Sequence, residues 1–299
     1  MRIPSIDGIG PTVLGHDPPS RCGDAVEVPT IPVEMDRGLP TIILCGGRGT
    51  RISDANPLLP KPMLTIGDRP ILWHIMKLFS SYGHRDFVLA LGWLGEEIRK
   101  FFLNYEALTS DFSIELGEPS SIKYHGPHGE EGWRVTCVDT GRDTLTGLRV
   151  RRAAELAEGD GPVLVAYGDG VGDIDIDALV RVHRENGRLA TITAVRPPGR
   201  FGELVIEDSE VKAFVEKPQT STGSISGGYL LLERDAIERY LSPDVDVMLE
   251  REPLSNLAAD GQLTAYHHEG FWQPMDTVRE RDLLEAMWSS GRAPWKVWD

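Results

Sequence analysis

Short apolar runs that break off at glycine or give way to helical periodicity constrain this sequence most. Thr41-Ile42-Ile43-Leu44 runs straight into glycines, and Phe87 to Leu91 forms a second buried run. Val163 to Tyr167 ends in Gly168-Asp169-Gly170, and Ala190 to Val195 forms a fourth. Between them, Ile71, Leu72, Ile75, Met76, Leu78 and Phe79 recur at the helical period, with Gly83 as a stop. Glu96 to Tyr105 and Ile176 to Asn186 also read as helices. Continuous apolar strands separated by helices imply a parallel sheet with right-handed crossovers and helices on its faces. The expected fold is α/β, a single Rossmann-like domain with a mixed, mostly parallel sheet. Ligands in such sheets bind beyond the carboxyl ends of the strands. After Phe201 the segments shorten to Glu203–Ile206, Val211–Val215 and Tyr229–Leu232. This predicts a smaller antiparallel β addition that could carry a second substrate.

Residues 1–38 are rich in Pro and Gly, and their apolar residues follow no period. They read as an N-terminal extension, partly disordered or laid on the surface, ahead of one domain over 39–299. Met1 to Ser5, followed by Asp7, Gly8, Gly10 and Pro11, is too polar and broken for a signal-peptide core, so the expected compartment is the cytoplasm. No apolar run approaches the ~20 residues of a membrane span. The net charge of -15 disfavours a nucleic-acid partner. It leaves room for a small phosphorylated substrate held in a local pocket of cations and backbone N–H groups. Cys22, Cys45 and Cys137 form no C-x-x-C pair and read as free thiols.

Chemistry concentrates after the first strand. In Leu44-Cys45-Gly46-Gly47-Arg48-Gly49-Thr50-Arg51, three glycines let backbone N–H groups approach a phosphate, and Arg51 adds a planar donor fork. The spacing is neither the dinucleotide fingerprint nor a Walker loop. Lys61 stands between Pro60 and Pro62, a stiff segment that suits a charge clamp on a triphosphate. Taken alone, these stretches are equally compatible with a tight turn and a solvated lysine.

Together they resemble the signature of the sugar-1-phosphate nucleotidyltransferases, and within them the glucose-1-phosphate cytidylyltransferases. PILWHIMK, AYGDGV, PPGRFGEL, FVEKP, GFWQPMDT and APWKVWD extend the resemblance from about Leu39 onward. It implies transfer of a nucleotidyl group from CTP to a sugar 1-phosphate, glucose 1-phosphate foremost, with release of pyrophosphate. It implies Mg²⁺ on Asp169 and Asp276, and catalytic roles for Arg51 and Lys61. Nucleotide binding falls to Leu44, Cys45, Gly46, Gly47, Gly49, Thr50, Arg51, Lys61 and Arg149, and sugar-phosphate binding to Glu216, Lys217, Ser226 and Gly227. A homo-oligomer is also implied; Trp288, Trp295 and Trp298 fit either an intersubunit contact or simple packing.

Read without the resemblance, Asp169 suits a turn and Asp276 a helix N-cap. His267-His268 reads as a surface or strand pair. The chain departs from the pattern at Cys45, where alanine is usual, and at Leu148, where a second glycine would stand and crowding of the nucleotide side is expected. Ser226 replaces an asparagine, so a different sugar is one alternative. Another base is a second, and a non-catalytic sensor of sugar nucleotides is a third.

Overall fold

The computed structural model describes residues 37–47, 57–126, 129–130, 132–197, 203–207, 210–215 and 223–298. The chain divides into Met1–Met35 and Asp36–Asp299. Most of the expected extension therefore lies outside the described residues. Arg37 already belongs to the fold, because its carbonyl accepts from Arg85 N–H (2.8 Å).

The main sheet has seven strands among the described residues. They are β1 (Thr41–Cys45), β2 (Asp86–Leu91), β3 (Arg134–Asp139), β4 (Val163–Tyr167), β5 (Ala190–Val195), β6 (Ile225–Leu232) and β7 (Leu263–His268). Their spatial order is β7-β5-β6-β4-β1-β2-β3. The pairs β1–β2, β1–β4, β2–β3 and β5–β7 are parallel. β6 is antiparallel to both β5 and β4. One strand thus runs against six. Where the others deliver their last residues to the carboxyl edge, β6 delivers its first, Ile225 to Gly227.

This places Tyr229–Leu232 differently from the sequence expectation. The run belongs to the middle of the main sheet, not to a separate antiparallel addition. Its side chains at Tyr229, Leu230, Leu231 and Leu232 are all buried, as a run apolar on successive positions requires cover on both faces. The addition itself is present as the hairpin Glu203–Glu207/Glu210–Val215.

The period of two along β1 divides the core. Ile43 and Cys45 join one cluster with α1 (Ile71–Ser81) and α4 (Ile176–Asn186). Ile42 and Leu44 join the other with α3 (Thr146–Ala154). α2 (Gly95–Leu103) follows β2, and α5 (Val278–Ser289) lies late in the chain. Expected and observed helices agree at Ile176–Asn186 because Asp175 caps its start and Gly187, in the left-handed region, ends it.

Trp288, Trp295 and Trp298 pack within the fold around His74. The His74 ring meets Trp73 at 5.1 Å, Trp288 at 4.6 Å and Trp295 at 6.2 Å between ring centroids, all edge-on. His74 Nε2 lies 3.0 Å from the Ile66 carbonyl, and Trp295 Nε1–H donates to His74 Nδ1 (3.4 Å). These partners suit the neutral ring with its proton on Nε2. Burial pushes the His74 imidazole down to about 4. Between the ordinary value of 6.5 and about 4, the unfolded chain binds a proton that the folded one refuses. Stability from this site is therefore full above pH 6.5 and falls as pH drops, by about 3 kcal/mol across the window. Urea midpoints at pH 7 and pH 5, compared between wild type and His74→Phe, check this. The wild type should lose more stability on acidification than the variant.

Candidate active site

Three chain segments far apart in sequence meet at the carboxyl edge. The first is the end of β1, where Gly46 and Gly47 follow Cys45. Gly168, just past β4, crosses closely: its N–H donates to the Leu44 carbonyl (3.1 Å). A Cβ on Gly168 would sit 2.8 Å from that oxygen and 3.1 Å from Pro62 Cγ. Only glycine fits here, which explains the glycine ahead of Asp169.

The second segment is Pro60-Lys61-Pro62-Met63, a single 3₁₀ turn closed by Met63 N–H to the Pro60 carbonyl (2.8 Å). The expected stiff presentation of Lys61 is what the turn provides. The third is a small antiparallel pairing of Gly170–Gly172 with Trp272–Pro274. Its register puts Pro274 opposite Gly170, and Met275 N–H donates to the Asp169 carbonyl (2.8 Å). Asp169 and Asp276 therefore flank the same end of one ladder.

Both carboxylates converge on one point. Lys61 Nζ lies 2.8 Å from Asp169 Oδ2 and 2.5 Å from Asp276 Oδ1. The ammonium stands where a cation shared by two carboxylates would stand, so the pair suits a hard divalent ion that takes its remaining ligands from water and phosphate. Among the described residues no group of three or more His, Cys, Asp or Glu is placed to hold a metal. Asp276 is not the helix cap that its position before α5 allowed. Thr277 is the N-cap, in a capping box with Glu280. Glu280 Oε2 also accepts the Asp276 backbone N–H (2.8 Å), which leaves the Asp276 carboxylate turned to the cleft.

A cavity of about 330 Å³ opens over this cluster. Leu44, Cys45, Gly46, Gly47, Lys61, Arg149, Asp169 and Asp276 all line it. Arg149 does so from behind. It is buried, and its guanidinium donates to the carbonyls of Leu91 (2.9 Å), Gly141 (2.9 Å), Gly46 (3.2 Å) and Arg142 (3.3 Å) and to Thr140 Oγ1 (2.7 Å). Burial pushes the guanidinium down from its ordinary value. A Cβ on Gly46 would fall inside the Arg149 guanidinium, and one on Gly92 would lie 2.5 Å from its Nη1. The side chain thus ties together the turns after β1, β2 and β3, an arrangement the T-G-L-R stretch does not announce.

Ser226 and Gly227 reach the same edge at the start of β6 but do not line this cavity. Ser226 is exposed, and its Oγ accepts from Gly228 N–H (3.3 Å). The Gly227 carbonyl accepts from Trp272 Nε1–H (2.7 Å), on the ladder that carries Asp276. Gly49, Thr50, Arg51, Glu216 and Lys217 lie outside the described residues. Leu148 is buried in α3 and absent from the cavity wall, so the crowding expected of it is not seen. Cys45 and Cys137 are free thiols, and burial pushes both up. His267 and His268 end β7, the strand alternative of the sequence reading, with His268 buried against Asp173 (3.0 Å).

Sequence reasoning missed one wall. Met248 lines the cavity, held by a segment that grips the start of α3: Leu145 N–H donates to Asp246 Oδ1 (2.8 Å), and Gly147 N–H to the Val247 carbonyl (2.9 Å). Tyr167 O–H donates to Glu250 across the cleft. The segment has no strand or helix period of its own to mark it.

Residues 40–288 match the family model described as nucleotidyl transferase. The glucose-1-phosphate cytidylyltransferase of Salmonella typhi is 44% identical over 258 residues, covering 86% of this chain and 99% of the relative. The protein of Bacillus subtilis (strain 168) named probable glucose-1-phosphate cytidylyltransferase is 42% identical over 265 residues, with the same coverage of 86% and 99%. The crystal structure of HddC from Yersinia pseudotuberculosis superposes with a TM-score of 0.62 at 20% identity, over 84% of this chain and all of that one. That likeness concerns the fold.

Proposed function

Because the chain belongs to the nucleotidyl transferase family, we propose that it transfers a cytidylyl group from CTP to glucose 1-phosphate, giving CDP-glucose and pyrophosphate. The observation that carries the reading is the convergence of Lys61, Asp169 and Asp276 beside the glycine turn, in a chain 44% identical to a curated cytidylyltransferase.

Transfer between phosphates needs positioning and charge neutralisation more than covalent chemistry. The Gly46–Gly47 turn, stripped of side chains, admits the triphosphate close to backbone N–H groups. Arg51 and Lys61 hold its charge. Lys217 positions the incoming sugar phosphate, and Glu216 accepts from sugar hydroxyls; both enter on sequence context, as does Arg51. The phosphate oxygen of the sugar attacks the α-phosphorus as pyrophosphate leaves. No general base is required, since a phosphate monoester is already ionised near neutral pH. Enzymes of this family use a divalent metal, and we assign Mg²⁺. Asp169 and Asp276 would hold it, and it would supply Lewis-acid charge to the phosphate oxygens.

A homo-oligomer in the cytoplasm completes the proposal. Exposed Leu103, Leu108, Phe112, Leu116 and Ile122, concentrated in one stretch, support association between copies. No helix among the described residues is long and apolar enough to cross a membrane.

Pyrophosphate release from glucose 1-phosphate, measured with Mg²⁺ against CTP, UTP, dTTP, ATP and GTP, tests the reading. CTP should exceed each other triphosphate at least ~10-fold in kcat/KM, about 1.4 kcal/mol of discrimination. Equal rates with UTP or dTTP would remove the assignment of the base. Silence with glucose 1-phosphate alongside Mg²⁺-dependent CTP binding would move the sugar, and Ser226 would be the first residue to examine.

A further inference from the structure

We propose that the Lys61 ammonium is the resident counter-ion of the metal site, and that the divalent cation is admitted only when a triphosphate draws Lys61 away. This rests on the assignment of Asp169 and Asp276 as metal ligands. Lys61 Nζ touches one oxygen of each carboxylate, at 2.8 and 2.5 Å. The side chains of Lys61 and Asp276 are only 10% and 15% exposed, so water screens this contact weakly, whereas Asp169, 39% exposed, makes the better screened contact of the two.

Charge sets the competition between the two cations. Two carboxylates and one ammonium sum to −1. A divalent ion placed on the same oxygens would stand in contact with the ammonium, two like charges in a poorly screened pocket. One of the two must leave. Among the described residues the Lys61 ammonium contacts the carboxylates of Asp169 and Asp276, and the 3₁₀ turn that carries it between Pro60 and Pro62 limits its reach. A triphosphate over the Gly46–Gly47 turn changes that balance. It supplies a new anionic partner for Lys61 and further oxygen ligands for the metal. Nucleotide and metal therefore bind with positive coupling, each tightening the other by the same factor. The ammonium held between the aspartates also keeps the empty site from accumulating metal that would sit idle.

Mn²⁺ serves as the probe, with binding read by electron paramagnetic resonance of the free ion. It is titrated into wild type, Lys61→Met and Lys61→Gln, each with and without a non-hydrolysable CTP analogue. Wild type should bind Mn²⁺ weakly alone and at least ~30-fold more tightly with the analogue. Both neutral variants should bind Mn²⁺ alone at least ~10-fold more tightly than wild type, and Asp169→Asn added to either should abolish the gain. Their coupling factor should shrink below the wild-type value, the remainder coming from the phosphate oxygens that the nucleotide adds. Two neutral side chains of different shape guard against a folding defect, monitored by circular dichroism. Equal Mn²⁺ affinity in wild type and both variants without nucleotide, with tight binding in the presence of the analogue, would overturn the counter-ion role and leave the metal site standing. No Mn²⁺ binding to wild type even with the analogue would overturn the metal assignment itself, and this inference with it.

Discussion

Asp169→Asn is expected to lower kcat for pyrophosphate release by about 10³-fold, about 4 kcal/mol of transition-state stabilisation. The substitution keeps size and shape. It keeps an oxygen acceptor for Lys61, 2.8 Å away in the native protein. It removes the negative charge that a hard cation requires. Asp169 lies two residues past β4 and its carbonyl, not its carboxylate, bonds Met275 N–H, so the local ladder should survive. Steady-state assays with Mg²⁺, paired with thermal melts, separate the effects. The melting temperature should stay within a few degrees, and metal-free CTP binding should change little. A variant that turns over at near wild-type rate would sink the metal assignment.

The second large effect concerns stability. Arg149→Met should destabilise the fold by about 3–5 kcal/mol, because it strips a buried donor from several carbonyls at once. Leu91, Gly141 and Thr140 would each lose a bond of 2.9 Å or shorter. The gap would also sit beneath Gly46, whose missing Cβ makes room for this guanidinium. Nucleotide affinity should fall along with stability, since the same side chain sets the path of the glycine turn. Arg149→Lys is the informative companion. It restores charge without the planar fork, and should recover less than half of the lost stability. Urea denaturation of the three proteins measures both. A wild-type midpoint for Arg149→Met would show the network to be dispensable.

Much of the fold is legible in the sequence, and the reasons differ by element. Ile176–Asn186 can be read to the residue because an aspartate cap and a glycine stop bracket a helical period. β1 and β4 can be read because buried parallel strands are continuous in apolar residues and end abruptly at glycine. Lys61 emerges from its place between two prolines, Asp169 and Asp276 through family resemblance. Their convergence depends on the pairing of Gly170–Gly172 with Trp272–Pro274, two strands of three residues each, too short to show a period. The place of β6 escapes a sequence reading because an apolar run does not record its direction. Arg149 reads as a ligand-facing cation. A sequence cannot distinguish a guanidinium aimed at a phosphate from one aimed at carbonyl oxygens, which demand the same donors. The Met248 wall has no local signal, being held in place by bonds to α3 contributed from about a hundred residues earlier.

The three-residue ladder also has a consequence for how the protein is made. Lys61 and Asp276 are 215 residues apart. At ribosomal rates of about 5–20 residues per second, the lysine emerges about 10–40 s before its second carboxylate. In the later half of that interval the nascent chain can complete β4 yet has no partner strand for Gly170–Gly172. A chain released early would carry the glycine turn and Lys61 with only one of the two carboxylates that Lys61 contacts. Products terminated before residue 276 should thus show no pyrophosphate release.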